Sequence, residues 1–166
     1  MLEKNGVPSD HDLDSVKPSE ERFRRGPVAI VECFERIPCD PCFHLCKQGA
    51  IRSFRDINDL PEIDFEKCTG CGICIGGCPG LAIFVVDVSA PSQAGSVSLP
   101  YEFLPLPKKE EEVLALDRQG DVVGKGTVLR VQRKKNKRSV ITIAVPKDLV
   151  MVVRNIRPQE ESYAKR

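Results

Sequence analysis

Eight cysteines fall between Cys33 and Cys78, and none lies elsewhere in the 166 residues. The later four read Cys68-Thr-Gly-Cys71-Gly-Ile-Cys74-Ile-Gly-Gly-Cys78-Pro79. Three cysteines at two-residue gaps wrap a loop round one face of an iron–sulfur cube, so three thiolates reach three irons. The fourth, beyond a longer gap, points away and serves a neighbouring cluster. Gly70, Gly72, Gly76 and Gly77 let the backbone approach the inorganic sulfides. Backbone N–H groups can then hydrogen-bond to those sulfurs and tune the potential. Pro79 fixes the turn after the last ligand.

The earlier four read Cys33-Phe-Glu-Arg-Ile-Pro-Cys39-Asp-Pro-Cys42-Phe-His-Leu-Cys46-Lys47. The first gap holds five residues instead of two, and Lys47 stands where the later run has Pro79. The extra residues either bulge and return Cys33 to the cluster, or leave a three-ligand site. The bulge is favoured, because a stray cysteine at the repeat's first position would be a coincidence. The crossed assignment gives one [4Fe-4S] cluster to Cys33, Cys39, Cys42 and Cys78, and a second to Cys46, Cys68, Cys71 and Cys74. His44 lies inside the first loop, and four cysteines leave it a supporting or exposed role. Zinc sites pair two short knuckles across a longer spacer, which fits consecutive two-residue gaps poorly. Disulfides would need an oxidising compartment. The opening residues hold no apolar run or signal-like cleavage site, so the expectation is a cytoplasmic protein with reduced thiols.

The surrounding elements must place these loops. Cys39, Cys42 and Cys46 recur 32 residues later as Cys71, Cys74 and Cys78, and Ala50–Ile51 recurs as Ala82–Ile83. Each copy reads as strand, cysteine loop, short helical turn and strand, with exit strands at Ala50–Phe54 and Leu81–Val88. Val28–Val31 is an apolar run with the length of a strand. Ile73, Ile75, Leu81, Ile83 and Phe84 are expected to wall the clusters from water. Residues 1–25 are polar, lack periodicity and read as a flexible arm, in which His11 is a solvated side chain. Residues 26–90 form the cluster-binding unit. Residues 91–107 read as a linker with a strand at Ser96–Leu104, and residues 108–158 as a small β unit. Its strands are expected at Val113–Leu116, Val122–Gln132 and Ser139–Val145, with turns at Asp117–Asp121 and Lys134–Lys137. Leu149–Ile156 suits either helix or strand, and the tail 159–166 is expected to fray.

Net charge is +1 overall, but residues 26–90 carry nine acids against five bases, and residues 91–166 nine acids against fifteen bases. The acidic unit favours a basic docking face on a partner. Two anionic clusters in an acidic segment are expected at the low end of the range of about −700 to +450 mV. Arg130–Arg138, RVQRKKNKR, holds six bases in nine residues. A lysine-rich turn kept for solubility explains it better than nucleic-acid binding, since no aromatic residue there could stack on a base. No apolar stretch approaches the roughly 20 residues of a membrane span. There is no Ser/His/Asp set, dinucleotide fingerprint or P-loop, so no catalytic residue is expected in the chain itself, and its expected role is that of an electron-transfer subunit of an oxidoreductase complex.

Residues 28–88 resemble the two-cluster bacterial ferredoxins. That resemblance implies an α+β fold: a ferredoxin-like domain with a pseudo-twofold internal repeat, here followed by a small all-β C-terminal domain. The segments IPCDPC, CTGCGICIGGCPGLAIFVVD and PYEFLPLP also look like the small subunits found with FAD-dependent dehydrogenases of the proline, hydroxyproline and sarcosine type. This implies a hetero-oligomeric complex in which a FAD-containing oxidoreductase subunit takes the substrate's hydride and two [4Fe-4S] clusters carry the electrons away singly. The alternative is a binding module stabilised by zinc or a structural cluster, whose basic β unit contacts nucleic acid.

Overall fold

The computed structural model describes residues 2–134 and 136–159. Three short helices open the chain: α1 (Leu2–Asn5), α2 (Asp10–Ser15) and α3 (Glu20–Arg24). Ser9 caps α2 and Ser19 caps α3, each hydroxyl accepting a backbone N–H three residues on. This differs from the loose arm expected over residues 1–25. Helices of four to six residues are too short to show an apolar stripe, so periodicity says nothing about them. α3 is anchored all the same, with Arg22 and Phe23 both buried.

β1 (Val28–Val31) leads into the first cysteine loop, which carries α4 (Pro41–Leu45). The second loop carries α5 (Ile73–Gly77) and runs into β2 (Ile83–Asp87). Then come β3 (Ala94–Tyr101), β4 (Glu112–Leu116), β5 (Val122–Arg133), β6 (Ser139–Pro146) and β7 (Asn155–Pro158). The architecture is α+β. The stretch Leu149–Ile156 divides between the end of a 3-10 turn (Lys147–Leu149) and the start of β7. The fraying tail lies outside the described residues from residue 160 onward.

All seven strands join one antiparallel sheet in the order β1-β2-β3-β6-β5-β4-β7. β3, inside the segment read as a linker, pairs with β2 through Val85↔Ser98 and with β6 from Ala94↔Pro146 to Tyr101↔Ser139. The strand that enters the first cysteine loop and the strand that leaves the second are therefore hydrogen-bonded into the same sheet as the C-terminal strands. β1 and β2 are apolar without alternation because both their faces are covered. Val28, Ile30, Phe84 and Val86 face the core shared with β3–β7. Ala29, Val31, Ile83 and Val85 face a second core that contains Cys42, Cys74 and Cys78. Each fully buried Ile or Val contributes about 1.5–3 kcal/mol of transfer free energy.

The pairing repeats the cysteine offset. Val31 pairs with Ile83, and their counterparts 32 residues away, Ile63 and Ile51, form the isolated bridge Ile51↔Ile63. α4 and α5 are displaced by the same 32 residues. Their ends meet, since a Cβ on Gly77 would overlap Cδ1 of its counterpart Leu45. The strand expected at Ala50–Phe54 shrinks to that one bridge. Arg52, Ser53 and Arg55 beside it are exposed, with no apolar surface to hold a longer ladder.

Candidate iron–sulfur centre

All eight cysteines carry free thiols. Cys33, Cys39, Cys42 and Cys78 line one cavity, closed by Val31, Ile37, Pro61 and Ile83. Cys33 follows β1 after Glu32, while the five-residue gap to Cys39 loops outward, with Glu35, Arg36, Ile37 and Pro38 exposed. Burial pushes the Cys42 thiol up to about 11; the Phe43 amide opposes this, and Cys78, Cys39 and Cys33 add to the rise. Cys33 and Cys39 are raised for the same reasons, burial first and then Cys78.

The other four form a second group. Burial pushes the Cys74 thiol up to about 12, and Cys68, Cys71 and Cys46 beside it add to the rise. Two backbone amides already point at sulfur in this group: Ala29 N–H donates to Cys68 Sγ at 3.4 Å and Ala50 N–H to Cys46 Sγ at 3.3 Å. Cys71 is exposed whereas Cys74 is buried. Gly70 sits at φ +64°, and a Cβ there would fall 2.5 Å from the Pro27 carbonyl carbon. Only glycine lets the second loop lie against the start of β1. Among the described residues, no three His, Cys, Asp or Glu side chains close on a single metal ion; the first group surrounds a space instead. Free thiols, amides aimed at sulfur and a glycine at close approach fit an iron–sulfur cube.

Of the expected apolar wall, Ile75 and Ile83 are buried among the thiols. Phe84 turns into the other core, Ile73 is exposed and Leu81 is half-buried. His44 is exposed, its Nε2 3.1 Å from Asp40 Oδ2. His11 is exposed on α2.

Three supports escaped the sequence reading. Glu32, next to Cys33, is clamped by Arg118 (2.9 and 2.6 Å) and Arg154 (2.7 Å), and Arg154 stacks over Phe84 at 4.7 Å. Arg22 donates to the Cys68 carbonyl at 2.6 Å. The β5–β6 turn folds onto α5: Asn136 Nδ2 donates to Gly76 O at 2.9 Å and Arg138 Nη1 to Cys78 O at 2.8 Å. The charge run was visible in the sequence, but its carbonyl partners, 60 residues away, were not.

The later cysteine run thus has the spacing, free thiols and backbone of a cluster loop. Residues 61–84 match the 4Fe-4S binding domain family. This 4Fe-4S segment holds Cys68, Cys71, Cys74 and Cys78. The chain is 37% identical over 51 residues to the thiosulfate reductase electron transfer subunit PhsB of Salmonella typhi, covering 28% of this chain and 26% of that one. It is 40% identical over 47 residues to the pyruvate synthase subunit PorD of Methanocaldococcus jannaschii, covering 28% and 52%. A longer alignment, 28% identical over 162 residues, covers 87% of this chain and 25% of protein Pixie of Drosophila melanogaster. The chain therefore spans about half or less of the length of these relatives. No solved structure gives a significant match. Among the described residues, no helix is long and apolar enough to cross a membrane.

Proposed function

We propose that the chain is an electron-transfer subunit holding two [4Fe-4S] clusters, one on Cys33, Cys39, Cys42 and Cys78, the other on Cys46, Cys68, Cys71 and Cys74. The observation that carries this is the shared cavity, in which Cys78 of the later run stands among three cysteines of the earlier one. The 32-residue offset kept by α4, α5 and the two strand bridges supports an internal repeat around both groups. When bound, such clusters supply one-electron redox chemistry. The chain's own side chains hold them, exclude water through Ile75 and Ile83, and bring the second group near the surface at Cys71.

The relatives named for electron transfer and for oxidoreductase complexes support a place in such a complex. The upstream partner, on the resemblance of the cysteine and PYEFLPLP segments, is a FAD-dependent amino-acid or imino-acid dehydrogenase subunit, and the compartment is the cytoplasm. Of the six bases in the basic run, Arg138 is engaged internally, donating to the Cys78 carbonyl beside the Asn136–Gly76 bond, so the turn has a structural role on the α5 loop.

The test is anaerobic purification with identification of copurifying subunits. A flavoprotein that reduces the chain's clusters when given an amino or imino acid supports the assignment. A colourless, zinc-loaded chain contradicts it.

A further inference from the structure

Among the described residues two arginines are buried, Arg22 at 6% and Arg154 at 6% exposure. Arg154 faces a carboxylate, since Glu32 lies 2.7 Å from its Nε. Arg22 does not. Its Nε donates to Phe65 O at 2.7 Å, Nη1 to Gly26 O at 3.1 Å, and Nη2 to Pro27 O at 3.0 Å and Cys68 O at 2.6 Å. All four acceptors are neutral carbonyls. Among the described residues no carboxylate forms an ion pair with Arg22. Glu66 is exposed and paired with Arg25, which dominates its lowered pKa, with Arg22 a smaller contributor.

A guanidinium is never deprotonated at neutral pH, and a buried charge without a counter-charge is strongly unfavourable. Hydrogen bonds to carbonyls engage four of its five N–H donors but leave its charge uncancelled. Cys68 lies in the second thiol group, its Sγ accepting from Ala29 N–H. The same guanidinium holds Pro27 O, and Pro27 is the residue against which Gly70 packs. Arg22 therefore stitches α3 and the start of β1 to the loop of Cys68 and Cys71. Four thiolates on an iron–sulfur cube leave a net negative charge there.

We infer that Arg22 is the internal counter-cation of the cluster on Cys46, Cys68, Cys71 and Cys74. This rests on the two-cluster reading given above. One-electron reduction adds one negative charge and transfers no atom. The buried cation therefore stabilises the reduced state more than the oxidised one, and it raises that cluster's potential relative to a chain without the charge.

The experiment is a dithionite titration, followed by electron paramagnetic resonance, of the full reconstituted chain as wild type, R22K and R22Q. R22Q is expected to lower one cluster's midpoint by at least a tenfold change in its reduced-to-oxidised ratio, about 59 mV for a one-electron couple. The other midpoint should stay in place, and R22K should restore most of the loss. Equal shifts of both midpoints, no shift in R22Q, or the same shift in R22K and R22Q would overturn the inference. If R22Q fails to retain the second cluster, retention by R22K supports a role for charge, and loss in both variants assigns Arg22 to carbonyl clamping alone. A wild-type chain that takes up only one cluster sinks the underlying reading instead, and that outcome is seen before any variant is made.

Discussion

Glu32 is the residue on which the first cysteine loop turns. It follows β1, precedes Cys33, and its carboxylate is buried between Arg118 and Arg154. Burial lowers the Arg154 pKa to about 10, with Glu32 working against that fall, so the guanidinium stays charged at neutral pH. Glu32→Gln leaves both guanidiniums without their counter-charge. Breaking a buried pair in this way costs about 3–5 kcal/mol. The urea midpoint should fall accordingly with the slope unchanged, and a loss under about 1 kcal/mol would show that water already screens the site. Gly70→Ala meets both a positive φ and the Pro27 backbone. We expect it to lose iron from the second group while Gly80→Ala, which meets nothing within 4 Å, keeps full iron content. These residues differ in how legible they were. Ligand spacing is local, so the cysteines announced themselves. Glu32 meets its arginines across 86 and 122 residues, and no pattern in a short window encodes that.

At the level of elements, the two cysteine helices are held from outside by strands and a turn. β1 and β2 present one face to each core, which is why four-residue apolar runs without alternation were readable as strands. The strands of the C-terminal unit were readable too, through alternation bounded by turn residues. What stayed hidden was the contact between units. Asn136 and Arg138, at the β5–β6 turn, hydrogen-bond the carbonyls that end α5. Arg138→Ala leaves the Cys78 carbonyl without that donor and should cost about 1–3 kcal/mol, read from denaturant unfolding. An unchanged midpoint would mean water replaces the guanidinium at no cost. The N-terminal helices were equally hidden, because their anchors are one phenylalanine and one arginine, not a stripe.

Across the whole molecule, a single sheet joins an acidic cysteine segment to a basic β unit. Net charge is −4 over residues 26–90 and +6 over residues 91–166. Electron transfer to a partner that docks on the acidic side should slow as ionic strength rises, and a flat rate from low to physiological salt would place docking elsewhere. Acid should weaken the fold by a different route. Asp12 is held below its ordinary value by Ser9, Asp56 by the Asn58 amide, Asp59 by the Asp56 amide and Glu66 by Arg25. The folded chain then binds fewer protons than the unfolded one. Stability from these groups is present above the ordinary carboxylate values and is lost as pH falls through the lowered ones. A thermal melt of the iron-free chain should show its midpoint dropping below about pH 4.

On the proposed assignment, thiols from both cysteine runs interlock around two iron cubes. Iron and acid-labile sulfide, counted per chain after anaerobic reconstitution, test it most directly. The crossed two-cluster arrangement predicts about eight of each, falling on Cys78→Ser substitution through damage to the cluster of Cys33, Cys39 and Cys42. A wild-type chain that saturates at about four irons, or that takes up zinc in place of iron and sulfide, would contradict it.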